Sequence, residues 1–125
     1  MNTMKIGLCI LVVGCLLSFT SCSKKADSEK SITDVQAEAG KMNVEQLRAK
    51  AMEYKDAIVA QKAEIEKVAA KLKQIPITQQ LGEEARGLQT DIATLSKTMA
   101  NLTEKFQVYY SKLKEAGGNV SGLEI

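Results

Sequence analysis

The chain has 125 residues, with 17 lysine and arginine side chains against 15 aspartates and glutamates, 4% aromatic residues, one proline, and no histidine or tryptophan. That length admits one small domain. Without histidine the chain lacks the side chain that titrates near neutral pH and most often serves as general base or metal ligand, so enzymatic function is not expected.

The first residues differ in composition from the rest. Met1 to Lys5 is a short start with one positive charge, and Ile6 to Phe19 is an almost unbroken apolar run ending in Thr20-Ser21-Cys22. This pattern reads as a secretory signal peptide over residues 1–21. The run is about 14 residues, short of the roughly 20 that span a bilayer, which makes an uncleaved anchor the weaker reading. The junction Phe19-Thr20-Ser21-Cys22 resembles the lipobox of bacterial lipoproteins, although Phe19 stands where leucine is usual and Val12-Val13-Gly14-Cys15 is a competing match. Cleavage before Cys15 would leave a very short apolar run and expose Leu16 and Leu17, so Cys22 is the expected site. The resemblance implies that Phe19, Thr20 and Ser21 form the cleavage site and that Cys22 is lipidated and becomes the mature N-terminus, held to the membrane by its acyl chains. With Cys9 and Cys15 removed, an unacylated Cys22 would be a lone exported thiol with no disulfide partner. Ser23 in place of aspartate resembles the pattern of lipoproteins passed on to an outer membrane, facing the periplasm.

Loss of Lys5 with the signal leaves 16 basic side chains against 15 acidic ones. A net charge near +1 cannot supply the basic field that nucleic-acid binding needs. Residues 22–42 are polar and mixed in charge and end near Gly40, and they are expected to form the lipidated N-terminus and a flexible tether with a short helix at Ile32 to Ala39.

From Val44 the apolar positions advance by threes and fours through Leu47, Ala51, Tyr54, Ile58, Gln61, Ile65, Val68, Leu72 and Ile75, the a/d period of a coiled coil. Asn43 is the expected N-cap, with Gln46 completing a capping box and Met42 and Leu47 in the hydrophobic-staple positions. A second series runs from Thr78 and Leu81 through Ala85, Leu88, Ile92, Leu95, Met99, Leu102, Phe106, Tyr109 and Leu113 to Ala116, and Gly117-Gly118 ends it. Pro76, where the phase slips, predicts a chain reversal. The fold expected is all-α: an antiparallel coiled-coil helical hairpin over 43–116, with helices 43–75 and 78–116, a turn at 76–78, Thr78 as second cap and a tail at 117–125. A kinked single helix pairing with other chains is the alternative. Reversal at Pro76 sets Tyr54 against Met99, Leu47 against Phe106, Gln61 against Ile92, and Lys50 near Lys105.

Two helices share one seam, so a lone hairpin is marginal and its outer faces carry information. On the back of the first helix Ala49, Met52, Val59, Ala63 and Ala70 follow a second three/four pattern. This stripe is read either as helix-favouring alanine or as a contact surface for self-association or a protein partner. Tyr110 lies off the seam and is the expected exposed partner contact.

Gly82 and Gly87 have phosphate-loop spacing, but Leu88-Gln89 follow where Lys-Ser/Thr is needed. Glu53 with Asp56 and Glu83 with Glu84 read as solvated helix surface. No metal, cofactor or small-molecule substrate is expected. In outline the hairpin resembles secreted WXG-type proteins and coiled-coil chaperone arms, without the Trp-x-Gly turn. The expected function is an envelope lipoprotein acting as a structural or protein-interaction module. An oligomeric chaperone-like or inhibitor-like binder of exported proteins is the alternative.

Overall fold

A computed structural model describes residues 26–125. The expected signal segment at 1–21, including Phe19, Thr20 and Ser21, and Cys22 after it lie outside the described residues.

The described chain is an all-α antiparallel hairpin with no strand among its residues. Three helices follow one another, α1 (Ile32–Ala39), α2 (Val44–Gln74) and α3 (Glu83–Glu115), with a 3-10 turn at Ile77–Gln79. The start of α2 is built as its sequence dictates. The Asn43 side chain accepts from the Gln46 backbone N–H at 2.9 Å, and the Gln46 side chain accepts from the Asn43 N–H at 3.1 Å. This reciprocal box satisfies two donors that a helix start otherwise leaves open. The end of α3 is a Schellman closure, in which Gly118 donates to Leu113 O at 2.9 Å and Gly117 donates to Lys114 O at 3.0 Å. Gly117 sits at φ 72°, where a side chain is strained.

The reversal is longer than the expected 76–78. Thr78 lies inside the 3-10 turn and caps nothing; Gly82 is the N-cap of α3, with Glu83 and Glu84 in the first turn where the helix dipole favours negative charge. Leu81 is 83% exposed and belongs to the turn, not the seam. The longer turn displaces the pairing. Gln61 donates from Nε2 to the Leu95 carbonyl at 3.2 Å, three residues beyond the expected Ile92, and the Tyr54 ring lies 5.4 Å from Tyr109 instead of opposite Met99.

Burial is uneven along the hairpin. At the open end Leu47, Ala51, Tyr54 and Ile58 of α2 and Leu102, Phe106, Tyr109 and Leu113 of α3 form one buried core with Val35 and Ala39 of α1 and Leu123 of the tail. Toward the turn the seam residues Ile65, Val68, Leu72, Leu88, Ile92 and Leu95 are only half-buried, while Ile75 and Ala85, beside the turn itself, are buried. A third and fourth contributor therefore turn one end of a two-helix pair into a closed core, and the remainder projects as an arm.

The expected tether and the tail are thus both part of the fold. Residues 26–42 do not form a free tether, because α1 packs on α3 and buries Val35 completely. The tail folds back over the other flank of α2, where Arg48 donates to the carbonyls of Asn119 and, at 3.0 Å, Ser121, and Lys55 donates to Gly122 O at 2.6 Å.

Gly118 is where the tail presses closest. A methyl group there would meet the Leu113 side chain and come within 2.9 Å of Val44 Cγ1. Gly118→Ala is expected to lower stability to urea by about 1–3 kcal/mol through overpacking. Gly87→Ala, with nothing within 4 Å of the new methyl, is expected to raise it by about 0.5–1 kcal/mol through helix propensity.

Candidate interaction surfaces

The core at the open end is held by a polar clasp that the heptad pattern does not announce. Lys105 is 4% exposed, and its ammonium donates to the Asp27 carbonyl at 3.1 Å and to the Ser28 carbonyl. Tyr54 Oη also donates to the Asp27 carbonyl, at 3.2 Å. The Asp27 carboxylate in turn accepts from the backbone N–H groups of Glu29 and Lys30 at 2.9 and 3.1 Å, and these bonds, the Glu29 one first, hold its pKa below the ordinary aspartate value. Ser31 then caps α1, accepting from Asp34 N at 3.1 Å. A buried ammonium without acceptors would cost several kcal/mol, roughly, so Lys105 and the backbone at residues 27–28 require each other.

This arrangement replaces the expected approach of Lys50 to Lys105. Lys50 pairs instead with Glu53 at 2.9 Å on its own helix. The predicted clash was the one sequence signal that Lys105 has business elsewhere.

Tyr110 is not the free contact expected of it. It is half-buried, with its ring 5.6 Å from Phe106 and the C-terminal residues Leu123, Glu124 and Ile125 beside it.

The α2 stripe fares differently. Ala49, Val59, Ala63 and Ala70 are exposed, Val59 to 53%, and Met52 is half-buried. At the open end the stripe widens into a shallow groove of about 590 Å³, floored by Met42, Ala49 and Met52 and rimmed by Gln46, Lys50, Glu53 and Asp56. An apolar floor with a charged rim is the composition of a protein-binding patch, and methionine side chains adapt to the shape of what they meet. Asp56 separates this groove from Val59, so the stripe is a patch followed by single apolar residues and not a continuous band. At the turn Ile77 and Leu81 are 85% and 83% exposed.

On α3, Thr90, Thr94 and Thr98 each donate their hydroxyl to the carbonyl four residues back, at 3.0, 3.0 and 3.1 Å. Their donors are consumed inside the helix, so that face is less polar than its composition suggests.

Among the described residues no group of acidic or cysteine side chains could hold a metal ion, and no helix is long and apolar enough to cross a membrane. Comparison with family models, with curated proteins and with solved structures finds no match for this chain.

The clasp has a consequence at high pH. Burial, reinforced by the Asp27, Glu53 and Glu38 charges, pushes the Tyr54 pKa up to about 12. Burial likewise raises that of Tyr109. Because the folded value lies above the ordinary 10.0, Tyr54 contributes stability that is complete below pH 10 and is lost as pH rises toward 12. Tyrosinate absorbance is expected to show that loss coinciding with opening of the core, and Tyr54→Phe should flatten this part of the stability–pH curve. Separately, Lys105→Met is expected to speed hydrogen exchange at the amides of α1 while leaving those of the arm unchanged, since it releases the 27–28 backbone alone.

Proposed function

We propose that this chain is a lipid-anchored protein of the bacterial envelope, exported by its signal segment and acting as a structural or protein-interaction module. The Met42, Ala49 and Met52 groove, with the single exposed apolar residues Val59, Ala63 and Ala70 beyond Asp56 on the back of α2, supports the interaction half of this reading, because no other part of the described chain covers it. The anchor half is supported by the lipobox resemblance at Cys22, whose acyl chains satisfy the two-chain requirement for stable attachment. Location at an outer membrane, facing the periplasm, follows the serine after that cysteine. Binding is helix to groove, with the closed core as a rigid mount. The chain has no proposed enzymatic activity, cofactor or nucleic-acid partner.

A second reading, an oligomeric chaperone-like or inhibitor-like binder of exported proteins, is favoured by one observation, the bare Ile77 and Leu81 at the tip of a thinly packed arm. The two readings part on which end binds.

Intact mass of the N-terminal peptide from membrane-purified protein is expected to show a diacylated or triacylated Cys22; an unmodified terminus would end the anchor reading. Met52→Glu and Val59→Glu are each expected to reduce cross-linking to a discrete partner, or to self, by about tenfold or more, as for the loss of a central apolar contact. Leu81→Ser should leave that cross-linking unchanged. If the tip substitution alone abolishes capture of unfolded exported proteins, the chaperone-like reading replaces the first.

A further inference from the structure

The groove at Met42, Ala49 and Met52 lies on the side of α2 turned away from the seam, since at about 100° per residue its positions fall roughly 160° from those of Leu47, Ala51, Tyr54 and Ile58. Side chains along this face are graded in size. Met42 and Met52 stand toward its N-terminal end, and Ala63 and Ala70 toward its C-terminal end. Charge adds a second asymmetry at its middle. Asp56 and Lys62 are both exposed, and neither forms an ion pair among the described residues. Six positions apart, they do not face each other along one helix. A face that is large at one end and small at the other, with an unpaired acid and an unpaired base about its centre, complements itself when turned end for end.

We propose that the occupant of the groove is a second copy of this chain, laid antiparallel, α2 on α2, about a twofold axis. The register that sets Met52 against Ala63 of the second copy also sets Val59, 53% exposed, against its Asp56, and brings Lys62 beside that same Asp56, twice by symmetry. Glu66 of the second copy then comes to Ala49, where the rim carries Lys50 as well as Glu53. Lys55 flanks the same contact and is turned instead to the Gly122 carbonyl of the tail. Parallel pairing in register would set Asp56 against Asp56 and Glu66 against Glu66, so like charges select the antiparallel arrangement. The overlap runs over 42–73, nearly all of α2, about 46 Å at 1.5 Å per residue. The two α2 helices form the centre of a four-helix layer and the two α3 helices its edges. This deepens the interaction half of the proposed function and rests on it, independently of the lipid anchor.

Sedimentation equilibrium of the protein purified from its host, in detergent of matched density, tests the pairing. The expected mass is that of a dimer. Asp56→Lys and Lys62→Asp each set like charges together twice and are expected to raise the dimer Kd about tenfold, and the two combined are expected to return it to within about threefold of the parent. Both positions are exposed on the helix, so the folded hairpin tolerates the exchange, and the rescue can arise only between chains. A dimer that ignores both single substitutions, or that the double substitution fails to restore, overturns the proposal. A monomer overturns it as well. Cross-linking to a different protein that Met52→Glu abolishes then leaves the interaction reading standing, whereas cross-linking that Met52→Glu leaves unchanged ends that reading too.

Discussion

A single seam between two helices cannot bury enough apolar surface to hold more than sixty residues in order, and the rest of this structure is arranged around that shortage. The response is local. Only at the open end do extra elements close over the seam, α1 with Val35 and Ala39 and the tail with Leu123, each from its own flank. There the aromatic residues stack, Tyr54 on Tyr109 and Phe106 on Tyr110. Beyond it the hairpin continues as a pair of helices with mostly half-exposed contacts, closed at the turn by Ile75 and Ala85.

Much of this was legible in the sequence because the signals were periodic or covalent in nature. The three/four spacing located both long helices, Asn43 and Gln46 placed the start of α2, and Gly117-Gly118 placed the end of α3. Pro76 favoured a reversal over the alternative of a kinked single helix, and the place of that reversal was legible. Its length was not, since Thr78 and Leu81 happen to continue the heptad count while the backbone prefers to begin a helix at Gly82, ahead of two glutamates. That accident shifted the expected pairing along α3 and gave Leu81 a place in the seam that it does not hold.

What the sequence concealed lies in the short segments. Eight residues of α1 with two buried side chains carry too little periodicity to distinguish a docked helix from a tether. A lysine reaching a backbone carbonyl leaves no pattern at all, because the acceptor can belong to any residue type. The same holds for Arg48 and Lys55, whose partners are carbonyls of the tail. The α2 stripe was visible because it is periodic, and its widening into a groove was not, since that depends on Met42 from outside the helix.

The closed core also joins the two ends of the described chain. Lys105 is 78 positions from Asp27, and Arg48 is 73 from Ser121, whereas the contacts near the turn link close neighbours. The helices can begin to pair at the turn, where loop closure costs least. The closed core draws on both flanks, Val35 and Ala39 of α1 and Leu123 of the tail. The contacts of greatest sequence separation are thus the ones that close the core, and they cost the most loop entropy to form.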